Sequence, residues 1–305
     1  MKNLPAIIWR LTDKRRGHDQ QTIGLSNALS RLIEVETYLV SVESYRIRNI
    51  LRRGFSRNPV LPPPHLIIGA GHQSQNALIA AKKSEGGLSI CLMKPSLPRS
   101  WFDLCIIPEH DQTPPRKNTI ETIGVLNPVV PNEVSSSSTG VILIGGPSRH
   151  HDWNTEDLVA QIRTIIDTTP GISWTITNSR RTPSETTNLI MGDRLLKDKF
   201  LQIESLPLDW INNTLGSCGH IWVSADSVSM IFEALSTRAK VGIIEVPAKR
   251  SDRINSIASN LQHKGWVYHG LSEPKISRPC LNEAHRCALA ILKRWPHLTI
   301  SKTDC

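Results

Sequence analysis

The chain has 305 residues, 39% of them hydrophobic and 21% charged, which is enough for two domains of roughly 150 residues, each burying its own core. Its six cysteines are scattered with no CxxC pair, so a reduced compartment is expected, and no apolar run approaches the ~18 residues of a membrane span. The net charge of +9 is uneven: residues 1–127 carry 17 lysines and arginines against 10 carboxylates, residues 128–305 carry 19 against 17, so an anionic partner is expected of the first half.

Apolar runs and amphipathic stretches alternate along the chain. A strand is expected at 6–10, too short an apolar run for a targeting signal. A polar turn follows over 13–20, then a helix at 21–33 and strands at 35–42 and 66–69. A helix at 74–84 and strands at 88–93 and 104–107 complete the first half. The second half reads strand 140–144, helix 155–167, strand 173–177, helix 183–191, strand 200–203, helix 207–216, strand 220–224, helix 227–237 and strand 241–245. Between the halves, residues 128–139 hold a proline pair and a serine run, the composition of a connector. β/α alternation of this kind predicts parallel sheets covered by helices. The expected domains are 1–133 and 139–280, with a last helix in 281–305 that crosses back to the first.

Three strand-to-helix junctions of the second half carry chemistry. The apolar run Val141-Ile142-Leu143-Ile144 ends in Gly145-Gly146-Pro147-Ser148. Trp174-Thr175-Ile176-Thr177 ends in Asn178-Ser179-Arg180-Arg181-Thr182-Pro183. Trp222-Val223-Ser224-Ala225 ends in Asp226-Ser227-Val228-Ser229-Met230, with Glu233 two turns further on. Parallel strands bring such junctions to one sheet edge, where ligands of α/β proteins bind. Backbone N–H groups and the Ser227 and Ser229 hydroxyls at a helix start suit a phosphate. Arg180 and Arg181 suit charge developing on a leaving diphosphate. Gly145, Gly146 and Ser148 permit close approach, and Glu233 suits two adjacent ribose hydroxyls. The plainer reading makes Asp226 and Ser227 helix caps and the arginines surface charges.

The first βα junction, Thr12-Asp13-Lys14-Arg15-Arg16-Gly17-His18-Asp19-Gln20-Gln21, lacks the GxGxxG of a dinucleotide site. Gly69-Ala70-Gly71-His72-Gln73 approaches that pattern only in part. His18 or Asp19 is a candidate general base for an acceptor hydroxyl, with Asp19 as a helix cap the alternative. In residues 44–57, Arg46, Arg48, Arg52 and Arg53 interleave with apolar residues including Phe55, the pattern of a basic amphipathic segment on an anionic membrane surface or of an ordinary packed helix. No histidine or cysteine spacing suggests a metal site. Only 5% of residues are aromatic and no nucleic-acid motif is present, which sets nucleic acid aside.

Together, Asn178-Ser179-Arg180-Arg181-Thr182-Pro183 and Asp226-Ser227-Val228-Ser229-Met230 resemble signatures of the mitochondrial-fission "elongated mitochondria" family and its bacterial relatives of lipopolysaccharide outer-core loci. The resemblance extends to Gly145-Gly146-Pro147-Ser148, Gly17-His18-Asp19-x-Gln21, Gly71-His72-Gln73 and the stretch from Phe102 to Asp111, covering most of residues 10–250. It implies a GT-B-like α/β fold of two Rossmann-like domains facing across a cleft. The implied activity is a metal-independent glycosyltransferase that moves a sugar from a nucleotide-sugar to a lipid-linked or lipopolysaccharide core acceptor. The nucleotide-sugar is then a substrate and no cofactor is required. By the same resemblance Ser179 and Met230 join the donor side, while Gly17, Gln21, Gly71, His72 and Gln73 fall on the acceptor side. The implied location is cytoplasmic, peripheral on the inner face of the inner membrane. Lys14-Arg15-Arg16 departs from the family's commoner Gly-Arg/Lys-Pro lead-in. Two alternatives stand beside the transferase: an adaptor that keeps the fold and recruits a dynamin-related partner, and a GT-B-fold sugar-nucleotide epimerase.

Overall fold

The computed structural model describes residues 4–45, 60–132, 135–207, 209–249, 256–270 and 278–299. The basic stretch with Arg46, Arg48, Arg52, Arg53 and Phe55 lies outside the described residues. The chain divides into two compact units, one formed by Met1–Pro128 with Asn282–Cys305, the other by Val129–Leu281.

The first unit is built on strands β1 (Ala6–Thr12), β2 (Val35–Ser41), β3 (Leu66–Ala70), β4 (Leu88–Leu92), β5 (Leu104–Pro108) and β6 (Thr119–Thr122). They run in the order β2-β1-β3-β4-β5-β6, and every neighbouring pair is parallel. Helix α1 (Arg16–Ser30) joins β1 to β2, and α2 (His72–Glu85) joins β3 to β4. The inner strands are apolar at successive positions because both sheet faces are covered. Ile8, Leu66, Ile68, Ile90 and Leu104 pack with Leu25 and Leu29 of α1 on one face. Trp9, Leu11, Ile67, Cys91 and Cys105 pack with Leu78 of α2 on the other. The last helix, α8 (Glu283–Arg294), places Ala284, Cys287, Ala288 and Ile291 in the α1-side core, the i, i+3, i+4, i+7 stripe of an amphipathic helix.

The second unit repeats the plan with β7 (Ser136–Leu143), β8 (Ser173–Thr177), β9 (Phe200–Leu201), β10 (Cys218–Ser224), β11 (Lys240–Ile244) and β12 (Tyr268–His269). The order is β12-β11-β10-β7-β8-β9, again with all pairs parallel. The helices are α3 (Thr155–Thr168), α4 (Ser184–Gly192), α5 (Trp210–Ser217), α6 (Val228–Leu235) and α7 (Ser256–His263). Ile142, Ile144, Ile176 and Trp222 meet Leu158, Ile162 and Ile166 of α3 in one core.

Three local expectations give way. The serine run is not all connector: β7 opens at Ser136, its first residues exposed, because a register shift between Cys218 and His220 lets β10 extend alongside. Helix α1 starts at Arg16, ahead of the expected 21, so Gly17, His18 and Asp19 lie in its first turn. Strands β6 and β12, of four and two residues, are too short to show a period, and helix α7, with Ile257, Ala258 and Leu261 buried, is an element not among those expected from the sequence.

Candidate functional site

In a doubly wound sheet the ligand site lies where strand order reverses, at the carboxyl ends of the two strands that diverge. In the second unit those strands are β7 and β10, adjacent in the sheet with connections leading away on opposite sides. The predicted junctions after β7, β8 and β10 therefore meet on one edge. Asp226 ties them together. Its side chain is fully buried and its Oδ2 accepts from the Gly146 N–H at 3.0 Å and from Arg181 Nη2 at 2.8 Å. Its Oδ1 accepts from the Ser224 hydroxyl at 2.7 Å, and Ser224 Oγ accepts in turn from the Gly145 N–H at 2.8 Å. Arg181 Nη1 donates to the Gly146 carbonyl at 2.7 Å. Ser179 Oγ donates to the Gly145 carbonyl at 2.9 Å.

These bonds revise several expected roles. Asp226 is an internal strut, and the Arg181 guanidinium is occupied by Asp226 and a main-chain carbonyl. Gly145 and Gly146 are approached by protein: an added Cβ would lie 2.3 Å from Asp226 Oδ2 and 2.1 Å from the Arg181 carbonyl oxygen, respectively. Ser148 Oγ accepts from the His150 and His151 N–H groups, both at 3.1 Å, and so holds its own turn. Ser179 faces Gly145 instead of solvent.

The remaining candidate groups of this edge differ in exposure, and Ser227 is buried. Arg180 is exposed. Ser227 is the N-cap residue of α6 but its side chain makes no capping bond, and Ser229 is exposed in the first turn. Met230 and Glu233 are half-buried on the same helix. The far end of α6 is clamped by Arg278, whose guanidinium donates to the carbonyls of Leu235 at 2.8 Å, Thr237 at 2.9 Å and Ala239 at 2.6 Å. Burial pushes the Arg278 pKa down to about 10, so it stays cationic at neutral pH, the favourable sign at a helix C-terminus.

In the first unit the order reverses between β1 and β3, and the structure brings the junctions after these strands together. His18 Nδ1 lies 2.8 Å from Oδ2 of Asp13. The Asp13 side chain is 1% exposed and that of His18 is 19% exposed. A carboxylate can only accept, so Nδ1 carries the hydrogen, and in the neutral ring Nε2 is the acceptor. Gly71, with φ +79°, lies under the ring: an added Cβ would fall 2.1 Å from His18 Cε1. His72 is exposed and its Nδ1 is 2.7 Å from Ser96 Oγ, while Gln73 is exposed beside it. Gln21 is buried with Nε2 3.4 Å from the Gly17 carbonyl. Asp19 does not cap α1. Its Oδ1 is buried without a hydrogen-bond partner, and its charge acts on Arg10, whose pKa burial nevertheless lowers.

Asp13 was missed from sequence because its contact with His18 depends on the backbone. Lys14 has φ +64°, the left-handed turn that carries the chain back over Asp13, and Asp13 Oδ1 accepts from the Arg15 N–H at 3.1 Å. That departure from the resembled lead-in falls on a conformation glycine adopts freely. Arg16 occupies the first helical position, the one proline favours.

Among the described residues no helix is long and apolar enough to cross a membrane, and no group of three or more His, Cys, Asp or Glu is placed to hold a metal ion. The sequence is similar to the Uncharacterized protein RP120 of Rickettsia prowazekii (strain Madrid E), at 24% identity over 331 residues, covering 89% of each chain. Among solved structures, the fold is similar to that of a "putative UDP-N-acetylglucosamine 2-epimerase" from Listeria monocytogenes, with a TM-score of 0.54 and 12% identity over 95% of this chain and 88% of that one. A Phytolacca americana UGT2 complexed with UDP-2fluoro-glucose and pterostilbene aligns over 94% of this chain and 90% of that one, at 9% identity and a TM-score of 0.47. The first of these likenesses and the two switch-point sheets give a GT-B-type pair of Rossmann-like domains. The family model for Mitochondrial fission ELM1 matches residues 16–295, and the chain therefore belongs to that family.

Proposed function

We propose that the chain is a nucleotide-sugar-dependent glycosyltransferase acting on an acceptor hydroxyl, of the lipid-linked or lipopolysaccharide-core kind. The observation that carries the reading is the pairing of a switch-point edge suited to a diphosphate with a separate histidine–carboxylate pair suited to proton abstraction. The similarity in fold to an epimerase named for UDP-N-acetylglucosamine supports a nucleotide-sugar ligand.

On the second unit, the diphosphate is assigned to the free N–H groups of the first turn of α6 and to the Ser227 and Ser229 hydroxyls. The partial positive charge of a helix N-terminus favours such an anion. Arg180, exposed in the loop after β8, is assigned as the cation that offsets charge on the leaving phosphate oxygen. The network of Asp226, Arg181, Ser224 and Gly146 holds these groups in place before substrate arrives, and Glu233 is assigned to the ribose hydroxyls. On the first unit, His18 Nε2 takes the acceptor proton as the acceptor oxygen bonds to the anomeric carbon and the bond to the diphosphate breaks. Asp13 holds the ring and stabilises the imidazolium that forms.

The test is nucleotide release from a panel of UDP-, GDP-, ADP- and CMP-sugars with and without lipid-linked acceptors. Acceptor-dependent release should fall by about 10²–10⁴-fold in His18→Ala, the range for loss of a general base. Asp13→Asn should reduce kcat more than it changes KM. Release that survives in His18→Ala removes that residue from the chemistry. Formation of an epimer or free sugar without acceptor would favour the epimerase reading.

A further inference from the structure

The loops that follow β4 and β5 line an open pocket of about 380 Å³, within the ~300–1,000 Å³ typical of small-molecule sites. Lys94, Arg99 and Arg116 line it together with Ser96 and Thr113, and no carboxylate does. Its walls are tied down. Arg99 Nη1 donates to the Pro114 carbonyl at 2.7 Å and to Thr119 Oγ1 at 3.2 Å. Lys94 Nζ donates to the Asp111 carbonyl at 3.0 Å. The buried Gln75 Oε1 accepts from the N–H groups of Ser96 at 3.1 Å and Leu97 at 3.2 Å.

This cavity opens on the same sheet edge as His18 and Gly71, because β3, β4 and β5 are consecutive parallel neighbours. The contact between His72 and Ser96 joins it to the acceptor-side junction. Among the described residues, the non-glycine positions with positive φ are Lys14, Met93 and Gln112. They sit in the loops after β1, β4 and β5, so the strained backbone of the unit gathers on this one edge. Such strain persists where surrounding structure enforces it and collects at binding sites.

We propose that this pocket binds a phosphate group of the acceptor, so that the sugar is added to a hydroxyl on a phosphorylated molecule. Resting on the transferase reading, the inference deepens it by naming the acceptor's chemical class. A lining with three cations and no carboxylate favours an anion, arginine offers paired donors to its oxygens, and the pocket has room for the group that carries the phosphate. The basic balance of the first half of the chain is accounted for in part by the same site.

The experiment is calorimetric titration of the full chain, and of Lys94→Glu/Arg116→Glu, with glycerol 3-phosphate and with dihexanoyl phosphatidic acid below its micellar concentration. Both residues are exposed, so the double variant is expected to fold, and its circular dichroism and melting point check this. UDP is titrated in parallel. Reversing two charges that bond a phosphate should weaken binding by about tenfold or more while leaving UDP affinity unchanged. Loss for both probes assigns the pocket to the phosphate itself, and loss for phosphatidic acid alone assigns it to a lipid-borne phosphate. Equal affinity in wild type and variant, or no binding of either probe by the wild type, overturns the inference. If the wild type binds the phosphates through Lys94 and Arg116 but binds no nucleotide, the pocket stands and the transferase reading falls.

Discussion

Replacing Asp226 by Asn tests whether one buried carboxylate organises the second-unit edge. The Asp226 side chain is inaccessible and accepts from a guanidinium, a main-chain N–H and a hydroxyl. Asparagine keeps the shape but turns one acceptor into a donor, so either the Gly146 N–H and Arg181 face a donor or the Ser224 hydroxyl gives up its donation. Breaking a buried ion pair costs about 3–5 kcal/mol, but the Arg181 side chain is 43% exposed and recovers hydration once released. The expected loss is therefore about 2–4 kcal/mol. Arg181→Ala leaves the carboxylate with its two neutral partners, the Gly146 N–H and the Ser224 hydroxyl, and should cost about 1–2 kcal/mol. The assay is urea unfolding followed by tryptophan fluorescence, with the double variant closing a cycle. Because two units can unfold separately, the transition assigned to the second unit is the one to read. A coupling energy of about 1–3 kcal/mol is expected for directly bonded residues. If Asp226→Asn costs less than about 0.5 kcal/mol, the level of an ordinary surface change, the strut does not organise the edge and the reasoning fails.

Three further outcomes follow from the first unit. Gly71→Ala should displace the His18 ring, since its Cβ would sit 2.1 Å from Cε1 at a backbone conformation, φ 79° and ψ 172°, that is essentially glycine's alone and costs about 1–3 kcal/mol; nucleotide release should fall while UDP affinity holds, and an unchanged rate would contradict the placement. Lys14→Gly relieves a φ of +64° and Arg16→Pro fits the first helical position after the extended Arg15; each should stabilise by about 0.4–1 kcal/mol, raising the first unit's melting point by a few degrees. Asp103 is half-buried, which alone would raise its pKa, but the Lys82 ammonium at 2.7 Å and the Ser89 N–H and hydroxyl outweigh this and hold it below the usual value. Its stabilising contribution is present above the unfolded carboxyl pKa of about 3.9 and is lost as pH falls through the lower folded value. Asp103→Asn should therefore flatten the acid limb of stability measured between pH 5 and 2.

Much of the fold was legible because buried parallel strands are short apolar runs closed by glycine or small polar residues. The strand at Ser173–Thr177 lies between such punctuations and was placed to the residue. The three junctions after β7, β8 and β10 were legible for the same reason, as each follows an apolar run. The roles within them were not. Arg181 and Asp226 are separated by 45 positions in the chain, and nothing local reveals that they satisfy each other and leave Arg180 outward. The start of α1 was misplaced because the Lys14-Arg15-Arg16 lead-in has no Ser, Thr, Asp or Asn at the N-cap, while the bond that supports it comes from Asp13, two residues before Arg15. The basic pocket was invisible because Lys94, Arg99 and Arg116 come from two loops that meet only when β4 and β5 pair.

The central claim is that the second-unit edge holds a nucleotide diphosphate. The most direct measurement is a thermal-shift series with UDP, GDP, ADP and CMP and their sugar conjugates on wild type, Glu233→Ala and Gly146→Ala. At 100 times its dissociation constant a ligand stabilises the native state by about 2.7 kcal/mol, worth several degrees at about 2–4 °C per kcal/mol for a unit of this size. The account predicts a shift selective for one base in the wild type, reduced in Glu233→Ala and absent in Gly146→Ala, whose added Cβ collides with the Arg181 carbonyl. A well-folded wild type that responds to no nucleotide would contradict the account and leave the adaptor as the better reading of this fold.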